Sequence, residues 1–291
     1  MQTGSLGVWF FTEGMSSPQA AEFAGRVESL GYSHLWLPET VGRNPFVHAA
    51  YLFEHTERLH IATGIANIYH RHPGMMAQSQ KTLAEQSGGR FLLGIGVSHA
   101  PLVEGLRGVP YGKPVGTMRK YLEDMAAAPY SALAPAEPPQ TLLAALGPKM
   151  LALSAEKADG AHPYWTTPEH TAMASEILGP DKLLCVEQKV CLETDPARAR
   201  EAGRKALAMY SRLPNYRNNW LRLGFTDADL DDGGSDKLID ALVAWGDEKA
   251  LQARIQAHRD AGATHVCIQP LSVDGAPGEP DWNALEALAP R

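Results

Sequence analysis

Two patterns alternate along the 291 residues, and that alternation limits the fold more than any other feature. Short apolar or β-branched runs are followed by longer tracts whose apolar residues recur every three or four positions, the periods of strand and helix. Strands are predicted over residues 6–11, 33–37, 60–68, 90–97, 140–146, 160–163, 183–192 and 264–270. Helices are predicted from Pro18 to a stop at Gly31, and over 46–58, 74–86, 148–157, 168–178, 196–212 and 282–288, with one helical tract from 235 to 258. Prolines at helix starts and a glycine at a helix end punctuate the pattern. Strands that alternate with helices lie parallel and are joined by helical crossovers. Eight such units close a (β/α)8 TIM barrel, which typically takes about 250 residues or more. The chain is therefore expected to be one barrel domain over residues 1–291, with loop insertions at 126–139, rich in Ala and Pro, and at 213–234, which reads as irregular. Loops this long are often lids or binding loops.

Composition narrows the partners. Charged residues make up 20% and the formal net charge is -7, so the chain has no general attraction for nucleic acid or an anionic membrane surface. Its three cysteines, Cys185, Cys191 and Cys267, show no CxxC spacing, and so sparse an odd count fits a reducing cytoplasm. Residues 1–4 run straight into a strand-like stretch with no leader pattern. No window holds 18 consecutive apolar residues, so no membrane span is expected. A small-molecule substrate is the expected partner.

Barrel active sites lie where strands end and βα loops begin. Glu13, Glu39, His70 and His99 stand at such ends and are the catalytic candidates, as acid, base or a group facing the reactants. The strand end Gly94-Ile-Gly96-Val97-Ser98 fails as a dinucleotide fingerprint: His99 takes the place of the third glycine and no helix starts at once. Its small residues still permit close backbone approach to a ligand. Leu146-Gly147-Pro148-Lys149-Met150 is the phosphate candidate, because a helix that starts at Pro148 presents free N–H groups and a positive dipole end. His70-Arg71-His72-Pro73 also admits a metal-dependent hydrolase barrel, with Glu39, His99 and His162 as further ligands, although a metal site needs all of these to converge. Trp36, Trp165 and Tyr164 wall a pocket or belong to the core.

Residues 59–96 read LHIATGIANIYHRHPGMMAQSQKTLAEQSGGRFLLGIG. With Gly31-Tyr-Ser-His-Leu-Trp-Leu-Pro-Glu39 upstream, and Ala144-Ala-Leu-Gly-Pro-Lys-Met150, Ala158-Asp-Gly-Ala161 and Ala261-Gly-Ala-Thr-His-Val-Cys267 downstream, this ordered set resembles the luciferase-like monooxygenase family, and within it the branch that uses coenzyme F420. The resemblance implies a barrel of the bacterial-luciferase type, a homodimer, and hydride transfer between F420 and a small organic substrate. FMN is the alternative cofactor, in an oxygen-activating monooxygenase. It also implies a non-prolyl cis peptide at Gly64–Ile65 behind the cofactor ring, with Ala66, Asn67, Gly96, Val97, Ser98, His162 and Tyr164 around the cofactor and residues 146–150 at its phosphate. Lys149, Arg71, Arg119 and Lys120 are the expected cationic partners of the anionic F420 tail. Many relatives carry an acidic–His pair where this chain has Glu39-Thr40. Threonine cannot move a proton as histidine does, which leaves a non-catalytic cofactor-binding protein as a further reading.

Overall fold

The computed structural model describes residues 5–275 and 278–290. The residues of the leader expectation, 1–4, and the extreme ends of the expected domain lie outside the described part. Eight parallel strands close on themselves: β1 (Ser5–Trp9), β2 (His34–Leu37), β3 (His60–Thr63), β5 (Phe91–Gly96), β6 (Thr141–Leu143), β7 (Gly160–Ala161), β8 (Leu183–Cys191) and β10 (His265–Pro270), with β10 pairing both β8 and β1. Helices α1 (Ser17–Ser29), α2 (Pro45–Phe53), α3 (Pro73–Gln86), α4 (Pro114–Ala126), α5 (Pro148–Lys157), α6 (Pro168–Leu178), α7 (Pro196–Leu207) and α8 (Pro214–Arg222) follow. Each of these eight carries proline in its first turn. At that place the missing N–H costs nothing and the fixed φ is already helical.

The main core lies between the outer faces of the strands and the helices, with Val8, Leu35, Ile61, Leu93, Leu143, Val186 and Ile268 facing Phe23, Leu52, Met76 and Leu151. The barrel interior is filled by Trp9, Trp36, Ala62, Leu92, Leu142, Cys185 and Cys267. Close strand approach needs glycine at Gly160, where a Cβ would stand 1.9 Å from the Leu183 carbonyl oxygen. The lower interior holds histidines instead of aliphatic groups. His34 stacks on His60 at 4.7 Å and meets His265 at 4.6 Å, while Trp36 Nε1 donates to His265 Nε2 at 3.0 Å.

Four expectations are corrected. The strand predicted over 60–68 breaks after Thr63: the Gly64–Ile65 peptide is cis, and the chain resumes as β4 (Ala66–Asn67), paired with β5. The Thr63 hydroxyl bridges the break, donating to the Gly94 carbonyl at 2.7 Å and accepting from the Gly94 N–H at 2.9 Å. The helix predicted over 196–212 ends at Leu207, with a 3-10 turn at Tyr210–Arg212. The insertion 213–234 is not irregular, because it contains α8 and the short α9 (Asp227–Leu230). Buried Tyr216 and Trp220, four residues apart, give α8 its inner face. The tract 235–258 is two helices, α10 (Asp236–Leu242) and α11 (Glu248–Asp260), separated by β9 (Val243–Trp245), which adds to the upper end of β8. Residues 127–140 between α4 and β6 are a loop, as expected.

Candidate active site

The site is built at the upper, carboxyl ends of the strands. Its best-defined feature is an ionic knot around Glu39, just past β2. One Glu39 carboxylate oxygen accepts from Arg71 Nη1 at 2.9 Å and from the Asn67 N–H at 2.7 Å; the other receives Arg71 Nη2 and lies 3.1 Å from His70 Nδ1. Burial opposes charge on Glu39, but Arg71, the Asn67 N–H and His70 together hold its carboxyl below the ordinary value. Asn67 Nδ2 lies 3.0 Å from His70 Nε2. An amide NH2 can only donate, so His70 carries its proton on Nδ1 and gives it to Glu39. The Glu39 N–H reaches the Ile65 carbonyl at 3.3 Å, so the knot also fixes the segment containing the cis peptide. Arg71 is therefore fully engaged here, and is corrected from a partner for a cofactor tail to a structural cation.

Glu13 lies beside this knot. One of its oxygens accepts from the Thr40 hydroxyl at 3.3 Å, and the other is buried without a hydrogen-bond partner. Behind the cis peptide, Trp9 Nε1 donates to the Gly64 carbonyl at 3.0 Å. Gly64 is needed there, since a Cβ would meet Trp9 Nε1 at 2.6 Å and His162 Nε2 at 3.1 Å. His162 is placed in the barrel interior below the rim. It stacks on Trp36 at 4.3 Å and bonds the Cys185 carbonyl through Nδ1 at 2.8 Å. Its role is to back Gly64, which corrects the expectation that it faces the cofactor.

On the neighbouring strand, Ile95 and Gly96 pair with Ala66 and Asn67, and a Cβ on Gly96 would strike the Ile65 side chain at 2.7 Å. Ser98 has a left-handed backbone, φ 54, and Val97 before it packs against the main core. His99 meets Tyr216 of α8 at 5.7 Å between ring centroids, and burial lowers its pKa, partly offset by a hydrogen bond with Asn215. Gly147 is the N-cap of α5 and supplies no side-chain cap; Lys149 is exposed and Met150 is buried in the core. Arg119 and Lys120 lie on α4 and bond Glu156 and Asp124 at 2.6 and 2.9 Å. Both are corrected from tail partners to outer-surface ion pairs.

Two groups of residues were not among the sequence candidates. Arg222, at the end of α8, comes within 3.6 Å of where a Gly147 Cβ would stand. Its only hydrogen bond is to Asn219 Oδ1 at 3.0 Å, and it has no carboxylate partner among the described residues. Asn219 is 1% exposed and its Nδ2 has no partner. A cation without a counter-ion, an orphaned amide donor and an uncapped helix start thus meet at one place. The second group sits in the centre of the mouth. Lys189 and Glu187 are both buried on β8, 3.0 Å apart, and the ammonium lies 3.9 Å from the Tyr164 ring centre and 3.7 Å from that of Trp165. Burial pushes Lys189 down to about 8, with Glu187 opposing, and raises Glu187. The signal for this pair was in the sequence: two charges at i and i+2 of one strand must share one face. No group of three His, Cys, Asp or Glu side chains among the described residues is arranged to hold a metal ion. Glu39 and His70 are together, while His99 and His162 point elsewhere.

The sequence matches the luciferase-like monooxygenase family over residues 2–265. The chain belongs to the luciferase-like monooxygenase family. A relative from Mycobacterium tuberculosis, provisionally named a coenzyme F420-dependent oxidoreductase, is 26% identical over 90% of this chain and 93% of its own. Among solved structures, an F420-dependent secondary alcohol dehydrogenase in complex with an F420-acetone adduct superposes with a TM-score of 0.76 at 16% identity, covering 99% of this chain and 97% of that one. The FMN-bound oxygenating constituent of 3,6-diketocamphane monooxygenase from Pseudomonas putida gives 0.70 at 15%, covering 98% and 96%. Like its relatives in this luciferase-like family, the chain is an enzyme, and its cofactor is a deazaflavin or a flavin. Among the described residues no helix is long and apolar enough to cross a membrane.

Proposed function

We propose that this luciferase-like chain is an F420-dependent oxidoreductase that moves a hydride between the deazaflavin and a small organic substrate, as a cytoplasmic homodimer. The observation that carries this reading is the anion seat made by Gly147, Arg222 and Asn219, at the same carboxyl end of the barrel as the Gly64–Ile65 backing. The residues fit the cofactor on two counts: Asn219 Nδ2 is a buried donor without an acceptor, and Gly96 leaves the ring floor flush with Ile65. When bound, the deazaflavin supplies hydride chemistry at C5.

The chain's own residues supply orientation. The α5 start and Arg222 would hold the phosphate, and exposed Lys149 would meet the anionic tail. The Glu39–Arg71–His70 knot keeps the ring-backing segment in one position. Thr40 is exposed and holds no proton of use, and Glu13, which accepts its hydroxyl, is the carboxyl beside it. Trp9, Phe11 and Tyr164 pack edge-to-face and tilted at 4.7–5.1 Å and keep water from the inner side of the mouth.

Side-by-side titration with F420 and FMN tests this. F420 should bind at least tenfold more tightly, a difference of about 1.4 kcal/mol, and should weaken with added salt because the tail contacts are exposed. Equal affinity, or tighter FMN, would transfer the chain to the monooxygenase reading that the FMN-bound neighbour favours. Arg222→Ala is expected to weaken F420 binding about tenfold or more, since a charge-assisted bond contributes about 1.5–3 kcal/mol, with little change in thermal stability. Unchanged F420 affinity in a folded Arg222→Ala protein would reject this seat for the phosphate. Sedimentation of the pure protein tests the dimer.

A further inference from the structure

The polar chain across the centre of the mouth has a fixed direction. Gln269 Oε1 lies 3.0 Å from Lys189 Nζ and 2.9 Å from the Tyr164 hydroxyl. A lysine ammonium has only donors, so the Gln269 amide must turn its oxygen toward it. Tyr164 has one hydroxyl hydrogen and must give it to that same oxygen. The Tyr164 oxygen can then only accept. Its one further partner among the described residues is the Tyr210 hydroxyl at 3.3 Å, and Tyr210 is the donor in that pair. This distance is long for an O–H···O bond, which is usually 2.5–3.0 Å. Both tyrosines are half-buried; Tyr164 packs on Trp9, and Tyr210 packs on Trp165 and Tyr216.

We propose that this tyrosine pair recognises the hydroxyl group of a small alcohol: the substrate O–H donates to the Tyr164 oxygen, and Tyr210 donates to the substrate oxygen. The insertion replaces one long bond by two of ordinary length. A ketone of the same skeleton has no hydrogen to offer and leaves the Tyr164 lone pair unmet. Lys189 is a positioning residue. It acts through Gln269, and Glu187 fixes it in turn. The inference deepens the oxidoreductase reading and rests on it for the identity of the reaction, but the recognition itself is readable without cofactor.

The test is equilibrium binding of matched pairs, 2-butanol with butanone and cyclohexanol with cyclohexanone, followed by tryptophan fluorescence, because Trp9 packs on Tyr164 at 5.1 Å. Wild type should bind each alcohol at least fivefold more tightly than its ketone. Tyr164→Phe should abolish the difference. The double variant Glu187→Gln with Lys189→Met frees the Gln269 amide to turn, lets Tyr164 donate, and should shift preference toward the ketone. Gln269→Glu still presents only acceptors and should keep the alcohol preference. If the double variant does not fold, Tyr210→Phe replaces it and should cost the alcohol and the ketone alike. Equal binding of alcohol and ketone by wild type, binding of neither, or an unchanged preference in Tyr164→Phe would overturn the proposal. Titrating F420 into the same samples separates the two readings: an alcohol preference without F420 binding sinks the cofactor assignment alone, and F420 binding without the preference sinks this one.

Discussion

Lowering the pH from about 7.5 to about 5 is expected to remove most of the folding stability. Of the six histidines with exposures of 6% or less, His34 is held well below its ordinary value by burial and by its neighbours His265 and His60, and His48, His162, His170, His258 and His265 are held neutral by burial. Their pKa values are depressed to about 4 for the first three and to about 3 for the last two. In the unfolded chain each returns to near 6.5. Between those limits the unfolded state binds more protons than the native state, so stability rises with pH. The contribution is complete above about pH 6.5, falls as the pH drops toward 4, and levels off below the native values. At pH 5 each histidine costs about 2 kcal/mol, at 1.36 kcal/mol per pH unit. Together they amount to several kcal/mol, a large share of the stability of an ordinary domain. Urea melts at pH 7.5, 6 and 5 should show the midpoint collapsing toward zero. A midpoint that stays constant over that range would show that the histidine interior is hydrated or already protonated.

Replacing Glu39 by alanine is expected to have the largest effect of any single change at the site. Arg71 has 12% side-chain exposure and would keep its charge without its carboxylate, while the Asn67 N–H and His70 Nδ1–H would lose their acceptor. Removing one partner of a buried ion pair costs about 3–5 kcal/mol, which lowers Tm by roughly 10 °C in a domain of this size. Glu39→Gln retains an acceptor for the Asn67 N–H and should cost less than Glu39→Ala. Calorimetry on the two variants checks the order. A Glu39→Ala protein that melts within a degree or two of wild type would mean that the knot is solvated and does not fix the ring-backing segment.

The barrel was legible because its signal is repeated. Pro148, Pro168 and Pro196 mark helix starts, and the strands at 33–37 and 90–97 are apolar and short. Legibility failed where local patterns run together. Residues 235–258 keep helical spacing through β9, so only its pairing with β8 reveals a strand. Residues 213–234 look irregular because Asn, Arg and Asp dominate, although Pro214 followed by Tyr216 and Trp220 marks a helix. That error concealed Arg222, whose role depends on α8 crossing to the start of α5. Glu39, His70 and Arg71 were each singled out, but their pairing was not: Arg71 and His70 reach Glu39 only because β4 and the 3-10 turn Ile68–His70 fold back after the break at Gly64. Whether Lys189 and Glu187 point into the mouth depends on the register of β8 against β10, which no local pattern encodes.

Hydride transfer with a deazaflavin and oxygen activation with FMN leave different traces in one vessel. The decisive measurement follows the visible absorbance of F420 together with dissolved oxygen, first with oxidised F420 and small alcohols, then with reduced F420 and the matching ketones, and in parallel with reduced FMN. The predicted result is a substrate-dependent change in F420 absorbance at constant oxygen, with no substrate-dependent oxygen uptake in the FMN vessel. Substrate-dependent oxygen consumption with reduced FMN, and an F420 absorbance that does not move, would contradict it.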